Sequence, residues 1–392
     1  MPTSLRIALL LDPMSVSLDG PLSLRVRWGN HAPPLARELL GRGHTVRGFG
    51  APPGLIPRSS EVPFEGAAAP GWWGKLRSFR PEILLAYEAR SPAAVRGARM
   101  ARKLGSALVL VDSALPEGGR RFAHLLTRLG EKLWGPFVRR TSGGFVALDE
   151  PTRVQALKLG FSPDLVRVVR HGVDTNAYRP GLSSTLVARH RIRGRILLYV
   201  GRIAEDRGLE VLISAFSRTV GQRADWNLAL AGDGPALPSL RAQVERLGVA
   251  DRVHWLGRPR EEELPGLFAA STLLAIPARG ESVTGRQIPG ALSAGLPVIA
   301  SDLPRFAGWV RHDEEGLLVR PGDMEAWTEA IRLAAGSPHA RKRWAANGRR
   351  FALEHLAWNS VAREFEQVFH DARERVNAKL SVKSRTLAER TS

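Results

Sequence analysis

The 392-residue sequence has no cysteine, which removes disulfides, thiol nucleophiles and thiolate metal sites together and suits a reducing compartment. It also lacks any apolar run near the ~20 residues that a membrane-spanning helix needs, so no crossing of a bilayer is expected. The opening MPTSLRIALLLDP has only a short apolar stretch, cut off by Asp12 and without a small-residue cleavage site, and it reads as a buried first strand of a cytoplasmic protein. Signature motifs are missing as well. No G-x-G-x-x-G follows the first strand, no G-x-x-x-x-G-K-[ST] occurs, and Ala291-Leu292-Ser293-Ala294-Gly295 lacks the first glycine of a G-x-S-x-G elbow. A dehydrogenase, a P-loop NTPase and a serine hydrolase all lose ground. Histidines are scattered without ligand spacing, so no metal site is expected.

Negative charge is also scarce: 38 Asp and Glu stand against 57 Lys and Arg, a formal balance of +19. Such a surplus attracts polyanions, meaning nucleic acid, anionic membrane or phosphorylated substrates. None of the usual nucleic-acid modules is present, and the first half of the chain holds most of the excess.

What is present is repetition. Short runs rich in Ile, Leu and Val at Leu5–Leu11, Pro81–Tyr87, Ser106–Val111, Gly144–Leu148 and Val166–Val169 alternate with helix-like stretches such as Pro33–Arg42, Pro92–Leu104 and Glu150–Leu159. After an irregular stretch at Tyr178–Ser184, a second series begins with Ile196–Val200, Trp226–Ala231, Val253–Leu256, Thr272–Pro277 and Pro297–Ala300. Alternating strands and helices predict an α/β chain of two doubly wound parallel-sheet domains with a cleft between them. Ligands of such sheets bind at the carboxyl ends of the strands, which directs attention to Gly201, Gly232 and Glu281.

Gly201-Arg202 follows one strand and Glu205-Asp206-Arg207-Gly208 precedes a helix. Two guanidiniums there suit a diphosphate, because Arg offers fixed donors and keeps its charge; two solvated surface arginines are the plain alternative. Gly232-Asp233-Gly234-Pro235 allows close backbone approach to a ligand, or is simply a turn. In PARGESVTGRQIPGALSAGLPV, Glu281 is a loop carboxylate, and Thr284, Gly285 and Arg286 offer N–H groups and a cation to an anion before a short helix that starts near Pro289.

The blocks VRVVRHGVDTNAYRP, LLYVGRIAEDRGLEVLISAF, LALAGDGP, VHWLGRPREEELPGLFAAS and GALSAGLPVIASDLPRFAGWVRHDEEGLLVRPGD resemble, in order, the C-terminal half of the family 4 glycosyltransferases. The resemblance covers about residues 165–360 and is weaker over 1–150. It implies the GT-B architecture of two Rossmann-like domains, no metal or other cofactor, and retaining transfer of a sugar from a nucleotide-sugar. Its last helix commonly returns to the first domain. The expected division is therefore an acceptor-side domain over 1–182, a nucleotide-sugar domain over 183–355, a returning helix over 356–376 and an unstructured basic tail over 377–392.

By this resemblance Arg202 and Arg207 match the Arg and Lys that hold the donor diphosphate, while Gly201, Gly232, Gly234, Thr284, Gly285 and Arg286 border the donor. The family's two glutamates, with seven residues between them, fall on Ser282, with Glu281 one place early, and on Gly290; the first contacts the donor sugar and the second the ribose. Losing the ribose partner costs about 1.5–3 kcal/mol unless Gln287 or Arg286 compensates. On the acceptor side the family's glycine pair is replaced by a stretch with Arg25, Arg27 and Trp28, and His31 and Asp112 are the candidates.

A separate signal lies in RRFAHLLTRLGEKLWGPFVRR, where Phe122, Leu125, Leu126, Leu129, Leu133 and Trp134 recur at helical spacing among Arg120, Arg121, Arg128, Lys132, Arg139 and Arg140. Trp72-Trp73 with Lys75 and Arg77 adds to it. Such helices favour an anionic membrane interface, or pack on their own domain. The expectation is a cytoplasmic, peripheral retaining hexosyltransferase of cell-envelope polysaccharide assembly, with Arg202, Arg207 and Glu281 as catalytic residues and a lipid-linked or glycan acceptor. The alternative, motivated by Gly290, is an impaired GT-B protein acting as a binding partner.

Overall fold

The computed structural model describes residues 4–10, 31–51, 63–66, 71–112, 121–220, 225–280 and 283–391. The chain divides into two units, one of Met1–Gly172 with Trp358–Ser392 and one of Val173–Ala357. The first is built on β1 (Arg6–Leu10), β2 (Thr45–Ala51), β3 (Phe64–Gly66), β4 (Ile83–Tyr87), β5 (Ala107–Asp112), β6 (Ser142–Ala147) and β7 (Val166–Val168) in the order β3-β2-β1-β4-β5-β6-β7. The second carries β8 (Arg195–Val200), β9 (Trp226–Ala231), β10 (Val253–Gly257), β11 (Leu273–Ile276), β12 (Val298–Ser301) and β13 (Gly316–Val319) in the order β10-β9-β8-β11-β12-β13. Neighbouring strands pair in parallel, with Ile7 opposite Ile83 and Leu197 opposite Leu273.

The central strands are apolar along their length because helices cover both sheet faces. All five residues of ILLAY in β4 are buried. Helix ends follow local chemistry. The helix Pro92–Leu104 starts where the Ser91 side chain accepts the Ala94 N–H, and stops at Gly105, whose φ of 68° is the left-handed conformation that glycine tolerates best.

The last helix, Trp358–Thr391, belongs to the first unit. Val361, Phe365, Val368, Phe369 and Ala372 enter the same core cluster as Ile7, Leu9, Ile83 and Val109. It lies so near β6 that a Cβ on Gly143 would stand 3.1 Å from the Ala372 backbone oxygen. The helix continues beyond 376, so the stretch 377–391, expected to be unstructured, is helical.

The unit boundaries fall at 172/173 and 357/358 instead of 182 and 355. Val173 and Ala357 pair as an isolated parallel bridge, with the Val173 N–H donating to the Leu356 carbonyl at 2.7 Å. The chain thus enters and leaves the second unit side by side. The stretch Tyr178–Ser184, expected as a linker, is packed into that unit: Ser293 Oγ donates to the Tyr178 carbonyl at 2.6 Å, and the Ser183 carbonyl lies 2.3 Å from where a Cβ on Gly266 would stand. No helix among the described residues is long and apolar enough to cross a membrane.

One ion cluster ties the last helix to its unit. Leu5 N–H donates to His44 Nδ1 at 3.1 Å, so the proton of a neutral His44 sits on Nε2 and is given to Glu366 Oε1 at 2.8 Å. Arg42 grips the same carboxylate with two nitrogens, each at 2.7 Å. Burial works to raise the Glu366 pKa, but the hydrogen bonds from Arg42 and His44 outweigh it and the value ends below the ordinary 4.5. A depressed carboxylate stabilises the fold above its unfolded pKa, and that contribution disappears as pH falls through the folded value. Glu366→Gln is expected to lower stability by about 2–3 kcal/mol near neutral pH, and the loss should shrink below pH ~4. Urea melts at both pH values check it.

Candidate functional site

The loops that leave β8, β9 and β11 interlock through backbone atoms. Gly201 N–H donates to the Ala231 carbonyl at 3.0 Å, Ile203 N–H to the Asp233 carbonyl at 2.9 Å, and Ala236 N–H back to the Ile203 carbonyl at 3.2 Å. A side chain at 232 has no room, since a Cβ there would stand 1.8 Å from the Gly201 carbonyl oxygen. The third loop joins at Arg279, whose N–H donates to the Asp206 carbonyl at 3.1 Å. Beside it Gly208, at φ 66°, would place a Cβ 1.9 Å from the Pro277 oxygen. Both positions therefore require glycine.

Two side chains lock the first loop to the sheet. Tyr199 O–H donates to the Arg202 carbonyl at 2.6 Å. Burial raises its pKa well above the ordinary tyrosine value, Asp206 adds to the rise and Arg207 opposes it, so the hydroxyl stays a neutral donor. Gln287 Nε2 donates to the Val200 carbonyl at 2.7 Å; a carbonyl only accepts, which fixes the orientation of that amide.

The predicted cations stand on this locked loop. Arg202 is exposed, and the side chain of Arg207 is 19% exposed, with Nε 3.3 Å from Asp206 Oδ1. Arg207 Nε is buried and makes no hydrogen bond among the described residues. Arg279 forms an ion pair with Glu210 at the start of the helix Leu209–Thr219. Two guanidiniums and a helix start facing one loop junction form a setting for a diphosphate.

Thr284 is half-buried, Gly285 has φ 65° and lies against Phe306, and Arg286 caps the helix Gln287–Ser293. Glu281 and Ser282 lie outside the described residues, as do Arg25, Arg27 and Trp28. The acceptor-side candidates belong to the first unit. His31 is fully buried, with Nδ1 3.2 Å from Tyr87 Oη and its ring 5.2 Å from that of His171 and 5.3 Å from that of Trp358. This is the setting of a core histidine and offers no open face to an acceptor. Asp112 is half-buried and accepts the Ala89 N–H at 3.2 Å.

Gly290 is buried as well. A Cβ there would stand 2.9 Å from both Phe268 Cε2 and Tyr178 Cε1. Burial, joined by Glu261 and Asp174, pushes the Tyr178 pKa up to about 12. A missing carboxylate is legible in the sequence; the structure adds that two rings occupy its space. Tyr199 and Gly208 escaped the sequence-level assignment of site residues. Their signals are a tyrosine near the end of an otherwise apolar strand and a glycine closing a charged run.

A family model described as Glycosyl transferases group 1 matches residues 188–351. That segment, which lies wholly within the second unit, is similar to the group 1 glycosyltransferases. Over 225 residues the chain is 30% identical to a D-inositol 3-phosphate glycosyltransferase of Jonesia denitrificans, covering 54% of this chain and 52% of the relative. An MMP alpha-(1->4)-mannosyltransferase of Mycolicibacterium hassiacum is 30% identical over 220 residues, covering 55% and 51%. The chain thus spans about half the length of the curated relatives it matches. Among solved structures, Anabaena Alr3699/HepE in complex with UDP and glucose superposes with a TM-score of 0.71 at 18% identity, over 93% of this chain and 99% of that one. A glycosyltransferase from Rickettsia africae gives 0.73 at 14% identity, over 94% and 99%. These likenesses show the fold, and the two parallel sheets are those of the GT-B architecture.

The filled space at 290 makes a specific forecast for the second unit. Gly290→Glu should lower its stability by about 1–3 kcal/mol, with Gly290→Ala between it and the parent, because the rings must move. Urea denaturation read by tryptophan fluorescence checks this, and unchanged stability in both variants would refute the closed position.

Proposed function

We propose that this protein transfers a sugar from a nucleotide-sugar to a lipid-linked or glycan acceptor, with retention of configuration and without a metal, as a hexosyltransferase on the cytoplasmic face of a membrane. The observation that carries the reading is the glycine-locked loop junction with Arg202 and Arg207 on it, inside the segment matched by the group 1 model. The bond from the anomeric carbon to the diphosphate breaks, its electron pair leaving with the diphosphate oxygen, while the acceptor hydroxyl oxygen bonds to that carbon on the same face and gives its proton to the departing diphosphate. Negative charge on the diphosphate grows as the bond breaks. Arg202 and Arg207 hold more of that charge in the transition state than in the ground state, which is what accelerates the step.

Loops tied backbone to backbone place these cations before the donor arrives, so little reorganisation opposes catalysis. Gly201, Gly232 and Gly234 let the chain approach the donor closely, while Thr284, Gly285 and Arg286 supply N–H groups and a cation at its far side. Glu281 orients the donor sugar. Because HepE was captured with UDP and with glucose, uridine donors are the first to test. The second reading, an impaired binding partner, drew its support from Gly290 alone and is not favoured beside the family match.

Thermal shift with a panel of nucleoside diphosphates and their sugars tests the proposal. At least one should raise the melting temperature, and Arg202→Ala or Arg207→Ala should weaken its binding roughly tenfold to a hundredfold, the range of a lost charged hydrogen bond. If no nucleotide stabilises the protein at millimolar concentration, the transferase reading fails.

A further inference from the structure

The first unit carries an exposed face that its core does not use. The helix Arg121–Thr141 lies against Pro92–Leu104. Between them they hold nine Lys and Arg against a single acid, Glu131, which is paired with Arg139. One edge of the longer helix turns inward through Val138, which is 2% exposed. Leu133, well round the helix from it, is 62% exposed, and Trp134, one turn before Val138, is 44% exposed. Arg99 lies 4.9 Å from the Trp134 ring centroid and Arg102 5.9 Å from that of Phe137, so guanidiniums line the aromatic ridge. From the last helix, Leu380 reaches the end of Pro92–Leu104, with Cδ1 3.7 Å from where a Cβ on Gly105 would stand, and the next outward residue, Val382, is 64% exposed.

The geometry points to this face as the docking surface for an anionic lipid bilayer, with Leu133 and Trp134 inserted at headgroup depth and Arg99, Arg102, Lys132 and Arg140 on the phosphates. The inference rests on the membrane-surface reading above and gives it a location. Three features select a bilayer over a protein partner. The apolar residues form a narrow ridge instead of a broad patch, tryptophan prefers the boundary between headgroup and acyl chain, and the cations around it face almost no acid of their own. Arg stacked on an aromatic face keeps its charge and its free N–H groups, so one side chain serves both the ring and a phosphate. Leu380 extends the apolar ridge past the end of the neighbouring helix. An acceptor carried on a lipid would be delivered at the same surface.

The test uses the full chain and flotation with phosphatidylcholine vesicles, with and without a third of phosphatidylglycerol. Binding is expected only with the anionic lipid. The variant Leu133→Ser with Trp134→Ser should abolish it, and Lys132→Glu with Arg140→Glu should weaken it by well over tenfold, at about fivefold for each lost cation. As a charge-matched control on the other unit, Lys342→Glu with Arg350→Glu should leave binding nearly intact. No binding to anionic vesicles, or equal loss in the control pair, overturns the inference. Nucleotide thermal shift in solution runs beside it. All variants should keep the parent response, so failure of the docking face and failure of the transferase reading give different results.

Discussion

Everything at the candidate site depends on how closely three stretches of backbone approach one another at the ends of β8, β9 and β11. With 1.8 Å between a Cβ at 232 and the Gly201 oxygen, and 1.9 Å between a Cβ at 208 and the Pro277 oxygen, no side chain fits at either crossing. The loops can then share hydrogen bonds directly, and their rigidity comes from the main chain. Arg202 and Arg207 are long side chains with much rotamer entropy to lose, so fixing their base lowers the cost of holding an anion. Tyr199 and Gln287 complete the arrangement from below by taking the Arg202 and Val200 carbonyls.

The same closeness explains what happened at Gly290. The stretch before the matched segment, Tyr178–Ser184, does not stand clear of the helix Gln287–Ser293 but feeds the Tyr178 ring against it. Arg349 braces the contact, with one nitrogen donating to the Tyr178 carbonyl at 3.0 Å and to Ser293 Oγ at 2.9 Å. Burial lowers the Arg349 pKa, yet the carbonyls around it satisfy the charge. Filling the position with rings and bracing it from behind makes the departure part of the core. Under the proposed function, the ribose contacts of a donor would have to come from elsewhere on the loops.

The central strands were legible because both sheet faces are covered, so each appears as an unbroken apolar run. The short strands β3 and β13, of three and four residues, gave no such run, and Gly66 and Gly316 within them look like turn residues. The inter-unit boundary was misplaced for a related reason. Tyr178-Arg179-Pro180-Gly181-Leu182-Ser183-Ser184 has the composition of a linker, and only tertiary contacts reveal it as packed. The glycines of the site were legible as glycines, but not which atoms they approach. That Gly290 is shielded by Tyr178 and Phe268 depends on partners 112 and 22 residues away in sequence, beyond any local pattern.

The large positive balance also divides once each arginine is placed. In the first unit Arg42, Arg167, Arg373 and Arg375 bind Glu366, Asp371, Glu82 and Asp164, and each of these pairs joins the last helix to the rest of that unit. Only the Arg42 pair is well buried, so salt should weaken the other three and leave it largely intact. Arg99 and Arg102 instead lie on rings at the surface, where their charge remains available to an outside partner. Arg202 and Arg207 sit on the locked loops of the second unit. One surplus of charge is therefore divided between internal cohesion in the last helix and two groups of outward cations, to which the proposals above assign an anionic surface and a diphosphate. Net charge alone could not separate those uses, because it counts a cation paired with its own chain the same as one left facing outward.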